Sequence, residues 1–162
     1  MTISGGPASA TIRARFGQDH QEIEELLRQL LLAFEADDRA RVGALWSVFD
    51  AQLLAHLDAE EKHLVPRLLR ANERAARSIL EEHRHIRSRL TELGTQVDLH
   101  LIRLPAARAF IDELRAHARH EDQVLYEWAD AEVSEAEKHS LFGELSDVLK
   151  ARLLARASVV AS

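Results

Sequence analysis

The sequence predicts an all-α fold, an antiparallel up-down four-helix bundle with an additional C-terminal helix. Three observations predict it. Ala, Leu, Glu and Arg, all good helix formers, dominate the 162 residues, while Gly and Pro number only six and three. Apolar residues recur every three or four positions along four long segments, the spacing of one helix face. The connections between those segments are short, which makes consecutive helices antiparallel neighbours. With hydrophobic residues at 46%, the chain is long enough for one domain with a sizeable core.

Residues 1–10, rich in Ser, Gly and Ala, read as a flexible tail, and 11–158 as a single domain with its core bundle over about 12–131. The first helix spans about 10–36 and carries the stripe Ile12, Phe16, His20, Ile23, Leu27, Leu30, Phe34. Asp37 and Asp38 open the second, which runs to about Ala71 with Val42, Leu45, Phe49, Leu53, His56, Glu60 and Leu64 in register. Pro66 either bends this helix or ends it. Asn72 is a turn residue before the third helix, about 73–97, with Ala76, Ile79, His83, Ile86, Leu90, Leu93 and Val97. Pro105 suits the first turn of the fourth, which reaches about Val133 through Ala107, Phe110, Leu114, His117, Glu121, Leu125 and Trp128. Ser134 and Glu137 form a capping box that starts a fifth helix, about 135–157, whose Leu141, Leu145, Val148 and Leu149 pack on the outside.

Several function classes are set aside by composition. The net charge is −6 and the basic residues are scattered, so no nucleic-acid partner is expected. Without cysteine there is no disulfide, thiolate site or thiol catalysis. No signal-peptide core and no apolar run of about 18 residues is present, so a cytoplasmic protein without a membrane partner is expected.

Each of the four stripes contains a histidine, and two carry a glutamate four residues later: His56 with Glu60, and His117 with Glu121. Such a pair differs by roughly 40° around a helix, so both side chains face one cavity. A buried carboxylate without a partner is very unfavourable. His20 precedes His56 much as His83 precedes His117, which implies two related half-sites. Four imidazoles and two carboxylates exceed the needs of one tetrahedral zinc. They suit two iron or manganese ions bridged by both glutamates.

The remaining histidines, His63, His85, His100, His120 and His139, fall beside or off the stripes and read as surface residues, His120 being the best placed to support the site from outside. Glu61 and Asp122 read as solvated or supporting carboxylates. Asp19 and Glu82 each precede a stripe histidine, but sequence neighbours on a helix point about 100° apart, so an orienting role for them is not expected. Trp46, Trp128 and Tyr126 read as core or pocket walls, Tyr126 with a hydroxyl that could reach the site. A ferritin-like scheme built on Glu60-x-x-His63 and Glu82-x-x-His85 leaves His20, His56 and His117 unexplained.

The segments "DH" at 19–20, "HLDAEEKHLVP" at 56–66, "EEH" at 81–83 and "HARHEDQVLY" at 117–126 together resemble the hemerythrin-like (HHE cation-binding) domain family. The resemblance implies His20, His56, Glu60, His83, His117 and Glu121 as ligands of two non-heme iron ions, with manganese or zinc as substitutes. It implies reaction with peroxide, oxygen or nitric oxide, including catalase-like peroxide decomposition, or else a carrier, store or sensor of oxygen or iron without turnover. Oxygen-carrying hemerythrins have a fifth histidine one turn after the third-helix ligand; here that position is Arg87, whose guanidinium has no lone pair for a metal. They also use an aspartate five residues after the last histidine. Asp122 holds that place, but Glu121 lies on the stripe and mirrors Glu60. The open position and the departure at Arg87 favour two-electron chemistry over oxygen carriage.

Overall fold

The computed structural model describes residues 10–160, and all regular structure among them is helical. The helices are α1 (Ile12–Glu35), α2 (Arg39–His63), α3 (Val65–Ala71), α4 (Glu73–Asp98), α5 (Leu104–Glu121), α6 (Glu127–Glu132) and α7 (Glu135–Val160). A single π-helical turn, Asp122–Tyr126, joins α5 to α6. The tail expected at 1–10 lies, apart from residue 10, outside the described residues.

Local chemistry sets most boundaries. The side chains of Thr11, Asp38 and Asn72 accept the orphan N–H groups of Ala14 at 3.0 Å, Arg41 at 3.0 Å and Ala75 at 3.1 Å. Pro105 occupies the first turn of α5. At the start of α7, Ser134 N–H donates to Glu137 at 2.9 Å and Glu137 N–H donates back to Ser134 Oγ at 3.3 Å, the expected capping box.

Two expected helices are interrupted. The second does not run unbroken to Ala71: it stops at His63, and Leu64 (φ −104°, ψ −51°) separates it from α3. Pro66 lacks an N–H and its ring crowds the carbonyl four residues back, so the α ladder cannot continue through it. The fourth is interrupted by the π turn immediately after Glu121. In an α-helix a residue five positions on lies roughly 140° around the axis. The i→i+5 bonding of a π turn instead places it over the starting residue, so Tyr126 stands above Glu121.

α1 packs against α2 and α5, and α4 packs against the same two, giving a ring in the order α1, α2, α4, α5. α7 lies along α2 and α3 along α4. Because α7 covers its outer side, α2 buries residues off its stripe as well, among them Asp50, Ala51 and Ala55. The interior divides into two apolar clusters. One contains Ile23, Leu53, Ile86 and Leu114; the other contains Phe16, Leu64, Ile79 and Leu125 and takes in Leu141 and Leu145 of α7. On every ring helix the histidine falls between a residue of one cluster and a residue of the other. The two clusters therefore sandwich a polar layer.

Candidate metal centre

The polar layer consists of the six predicted side chains, which converge from all four ring helices. His20, His56, Glu60 and Glu121 form one group whose donor atoms lie within 4.8 Å of one another; Glu60, His83, His117 and Glu121 form a second. Both glutamates belong to both groups. Glu121 Oε2 lies 3.1 Å from His20 Nε2, while its Oε1 lies 2.9 Å from His83 Nε2 and 2.8 Å from His117 Nε2. Glu60 Oε1 lies 3.3 Å from His56 Nε2 and its Oε2 3.4 Å from His83 Nε2. Each carboxylate thus directs one oxygen to each half. The rings pair the same way, with centroids 4.5 Å apart for His20 and His56 and 5.0 Å for His83 and His117.

The donor set fits a pair of divalent cations. Glu60 and Glu121 are both fully buried at 0% exposure, and two such carboxylates side by side need cationic partners. Glu60 Oε2 and His117 Nε2 are buried with no hydrogen-bond partner, the latter near Glu121 but not aligned with it. Such orphaned polar atoms, pointing into one layer, are what metal ions satisfy. Between protein groups alone, protons fill that role. Burial opposes the charge on His56, but Glu60 and Asp19 outweigh it and push its pKa up to about 10. Burial likewise opposes His83 and His117, yet Glu121 with Glu60 and Glu61 raises the first to about 11, and Glu121 with Glu82 raises the second to about 9. Burial raises Glu121, but His117, His20 and His83 hold it well below the usual carboxylate range.

Tyr126 is the neighbour the π turn supplies. Its hydroxyl donates to Glu60 or to Glu121 Oε2, the latter at 2.9 Å, and lies 3.3 Å and 3.4 Å from His20 and His56 Nε2. Burial, together with Glu121 and Glu60, raises its pKa well above the ordinary value, so the phenol holds its proton.

The outer nitrogens are held across helix boundaries. His56 Nδ1 lies 3.3 Å from Asp19, His83 Nδ1 2.9 Å from Glu61, and His117 Nδ1 2.6 Å from Glu82. Asp19 and Glu82 were expected to have no orienting role, and that expectation is corrected. The 100° offset that turns each away from its own helix's cavity aims it at the next helix of the ring. A test of each neighbour against the adjacent helix, rather than its own, would have found them. Among the described residues no carboxylate holds His20 Nδ1. Arg87 turns away from the polar layer and donates to Asp58 at 2.8 Å and Glu61 at 3.2 Å, and Arg152 of α7 pairs with the same Asp58.

The family model of the hemerythrin HHE cation-binding domain matches residues 11–129. The chain belongs to the hemerythrin HHE cation-binding family. No curated protein and no solved structure matches it. The matched span contains every one of the six converging residues of this hemerythrin-like domain and ends before α7.

Of the other histidines in the hemerythrin-like chain, His120 shares Glu82 with His117, at 2.6 Å. His63 pairs with Glu144 at 2.8 Å, His85 with Glu113 at 3.3 Å and His100 with Asp37 at 3.0 Å, all away from the centre, and His139 is exposed. Asp122 accepts from Arg13 at 2.6 and 2.8 Å on the surface, so Glu121 and not Asp122 reaches the centre. A cavity of about 330 Å³ opens between α1 and α5 and is lined by His20, His56, His117 and Tyr126. Nothing in the sequence signalled this cavity. No helix among the described residues is long and apolar enough to cross a membrane.

Proposed function

We propose that His20, His56, Glu60, His83, His117 and Glu121 hold two iron ions and that the centre decomposes a peroxide. The observation that carries this reading is the opening of a solvent-connected cavity onto the His20–His56 half, with the Tyr126 hydroxyl among the donor atoms there. Bound iron would supply the two-electron redox couple that peroxide decomposition requires. The chain's own part is fourfold. Glu60 and Glu121 set the spacing of the halves. Asp19, Glu61 and Glu82 fix three imidazoles in the tautomer that presents Nε2 to the centre. The two apolar clusters exclude water above and below the polar layer. Tyr126 keeps a proton on Oη within reach of a molecule arriving from the cavity, where it can donate as the oxygen–oxygen bond is polarised.

This reading takes the ring as an antiparallel up-down bundle with α7 added, one domain over 11–158, acting in the cytoplasm on a small molecule. The alternative is a carrier, store or sensor of oxygen or iron, which the deep burial of the second half favours, His83 and His117 being 0% and 5% exposed. Metal analysis of the purified protein followed by oxygen release from hydrogen peroxide separates the two. We expect two irons per chain and a peroxide-dependent release of oxygen that Tyr126→Phe slows at least about tenfold at equal iron content. Two irons with no oxygen release would move the alternative ahead.

A further inference from the structure

We propose that the cavity between α1 and α5 is a binding site for a small organic hydroperoxide, a peroxy group carrying a short hydrocarbon tail. The inference rests on the peroxide reading above and names its substrate class. Its volume, about 330 Å³, is out of proportion to hydrogen peroxide. A water molecule occupies about 30 Å³ in the liquid, and hydrogen peroxide is larger by one oxygen. A volume of roughly 300 Å³ is where pockets for organic ligands begin.

The lining is as informative as the size. Ile23, Leu53, Leu57 and Leu114 form apolar walls, whereas His20 and Tyr126 present polar atoms at the centre. A ligand with one polar end and one apolar end matches that division. The rim carries charge, but most of it is internally balanced: Glu24 pairs with Arg115 at 2.6 Å and Asp122 with Arg13 at 2.6 Å. A neutral tail can therefore cross the rim without stripping an unpaired carboxylate of its water.

The space is also kept open by residue choice. Gly17 lies inside α1, where glycine is disfavoured relative to alanine, and a Cβ built there meets nothing within 4 Å. Gly17 and Ala118 line the cavity from its two facing helices, α1 and α5. Neither position is one of the six converging residues, and a larger side chain at either would take up part of the volume.

The test uses the metal-loaded protein as purified and two kinds of ligand. Cumyl alcohol, which has the tail but no peroxy bond, is titrated calorimetrically into the wild type, Gly17→Leu and Ala118→Leu. The second variant guards against misfolding of the first, and helix content is checked in both. We expect saturable binding to the wild type, weakened at least tenfold in each variant. The ratio of kcat/KM for cumene hydroperoxide to that for hydrogen peroxide should fall at least tenfold as well. No saturable binding to the wild type, or unweakened binding in both variants, overturns the proposal. If the alcohol binds in this Gly17-dependent way while neither peroxide is turned over, the organic site stands and the peroxide reading falls. Turnover of hydrogen peroxide with no binding of the alcohol has the reverse meaning.

Discussion

The His20–His56 half of the centre is the more open, because the His20 side chain is 16% exposed whereas His83 and His117 are 0% and 5% exposed. Three seams of the helical ring are crossed by the same device, a carboxylate next to a centre residue on one helix that holds the imidazole of the following helix. Asp19 does this from α1 to α2, Glu61 from α2 to α4 and Glu82 from α4 to α5. The fourth seam, from α5 to α1, has the matching residue in Asp122, directly after Glu121. Asp122 instead pairs with Arg13 at the surface, and His20 is left without an outer carboxylate among the described residues. The π turn begins at that residue. The same local change that lifts Tyr126 over Glu121 thus coincides with the one seam at which, among the described residues, no carboxylate reaches an outer imidazole nitrogen, and with the cavity. Closure in this bundle follows from a one-step rule, and access follows from the one place where the backbone departs from it.

The largest effect should come from the residue common to both halves. Glu121 directs one oxygen to each half, so Glu121→Gln should weaken both metal sites together, by about tenfold or more each. Because metal bound only to the folded chain stabilises it by mass action, the melting temperature gained on iron loading should largely vanish. Retention of one tightly held metal ion per chain would show that Glu121 serves a single half.

The next effect sets the two states of the protein apart. The folded-state pKa values of His56, His83 and His117 are raised to about 10, 11 and 9 from an ordinary 6.5. Raised pKa values contribute stability that is fully present below the unfolded value and is lost as pH climbs through the folded ones. Chelator-treated protein should therefore lose stability in urea progressively from about pH 6.5 to about pH 11, most steeply below about pH 9, where all three imidazoles are protonated only in the folded chain. Iron-loaded protein, whose Nε2 atoms are occupied, should lose much less over that window. Parallel pH profiles for the two would mean the imidazoles are not where the metal binds.

How far the sequence discloses this molecule depends on which residues are asked. The six converging side chains are legible because stripes with a 3.6-residue period fix which residues face inward, and a charged residue on such a stripe needs a reason. The capping residues Asp38, Asn72 and Ser134 are legible for an equally local reason. The crossing carboxylates are only half legible. Their identity is plain, but their targets depend on which helix is the neighbour, and single-helix geometry does not say. The break at Leu64 is visible as Pro66, whereas the π turn is not, since "EDQVLY" has ordinary helical propensity and nothing in it marks a change from i→i+4 to i→i+5 bonding. The cavity is the least legible feature, because it is made by what Gly17 and Ala118 lack.

A smaller effect should distinguish the halves directly. Glu61 accepts from His83 Nδ1 at 2.9 Å and also pairs with Arg87 at 3.2 Å. The hydrogen bond with His83 holds the Glu61 carboxyl below its ordinary value against the opposing effect of burial, and the Arg87 guanidinium adds to the lowering. Loss of such an outer partner commonly weakens a metal site by about 10- to 100-fold. Glu61→Gln should do so for the His83–His117 half and leave the other half much less affected, read as two separated steps in a chelator competition. Asp19→Asn should weaken the His20–His56 half in the mirror sense. Uniform weakening of both steps by either variant would erase the distinction between a closed and an open half.

The smallest effect concerns the wall of the open seam, and it is a gain. Gly17 and Gly94 both sit inside long helices, where glycine destabilises by roughly 0.5–1 kcal/mol relative to alanine. Their surroundings differ. A Cβ at Gly94 would lie 2.9 Å from Cζ2 of Trp46, whereas at Gly17 it would meet nothing within 4 Å. At Gly94 the propensity gain is opposed by overpacking, which costs about 1–3 kcal/mol, so Gly94→Ala should be destabilising. At Gly17 nothing opposes it. Gly17→Ala should therefore stabilise the protein by up to about 1 kcal/mol, raising the melting temperature by roughly 2–4 °C for a chain of this size. A methyl group is also too small to close the cavity. A loss of stability in Gly17→Ala, measured by thermal unfolding, would mean that the α1–α5 seam is packed in solution, and the contrast between an open and a closed half would fail at its simplest point.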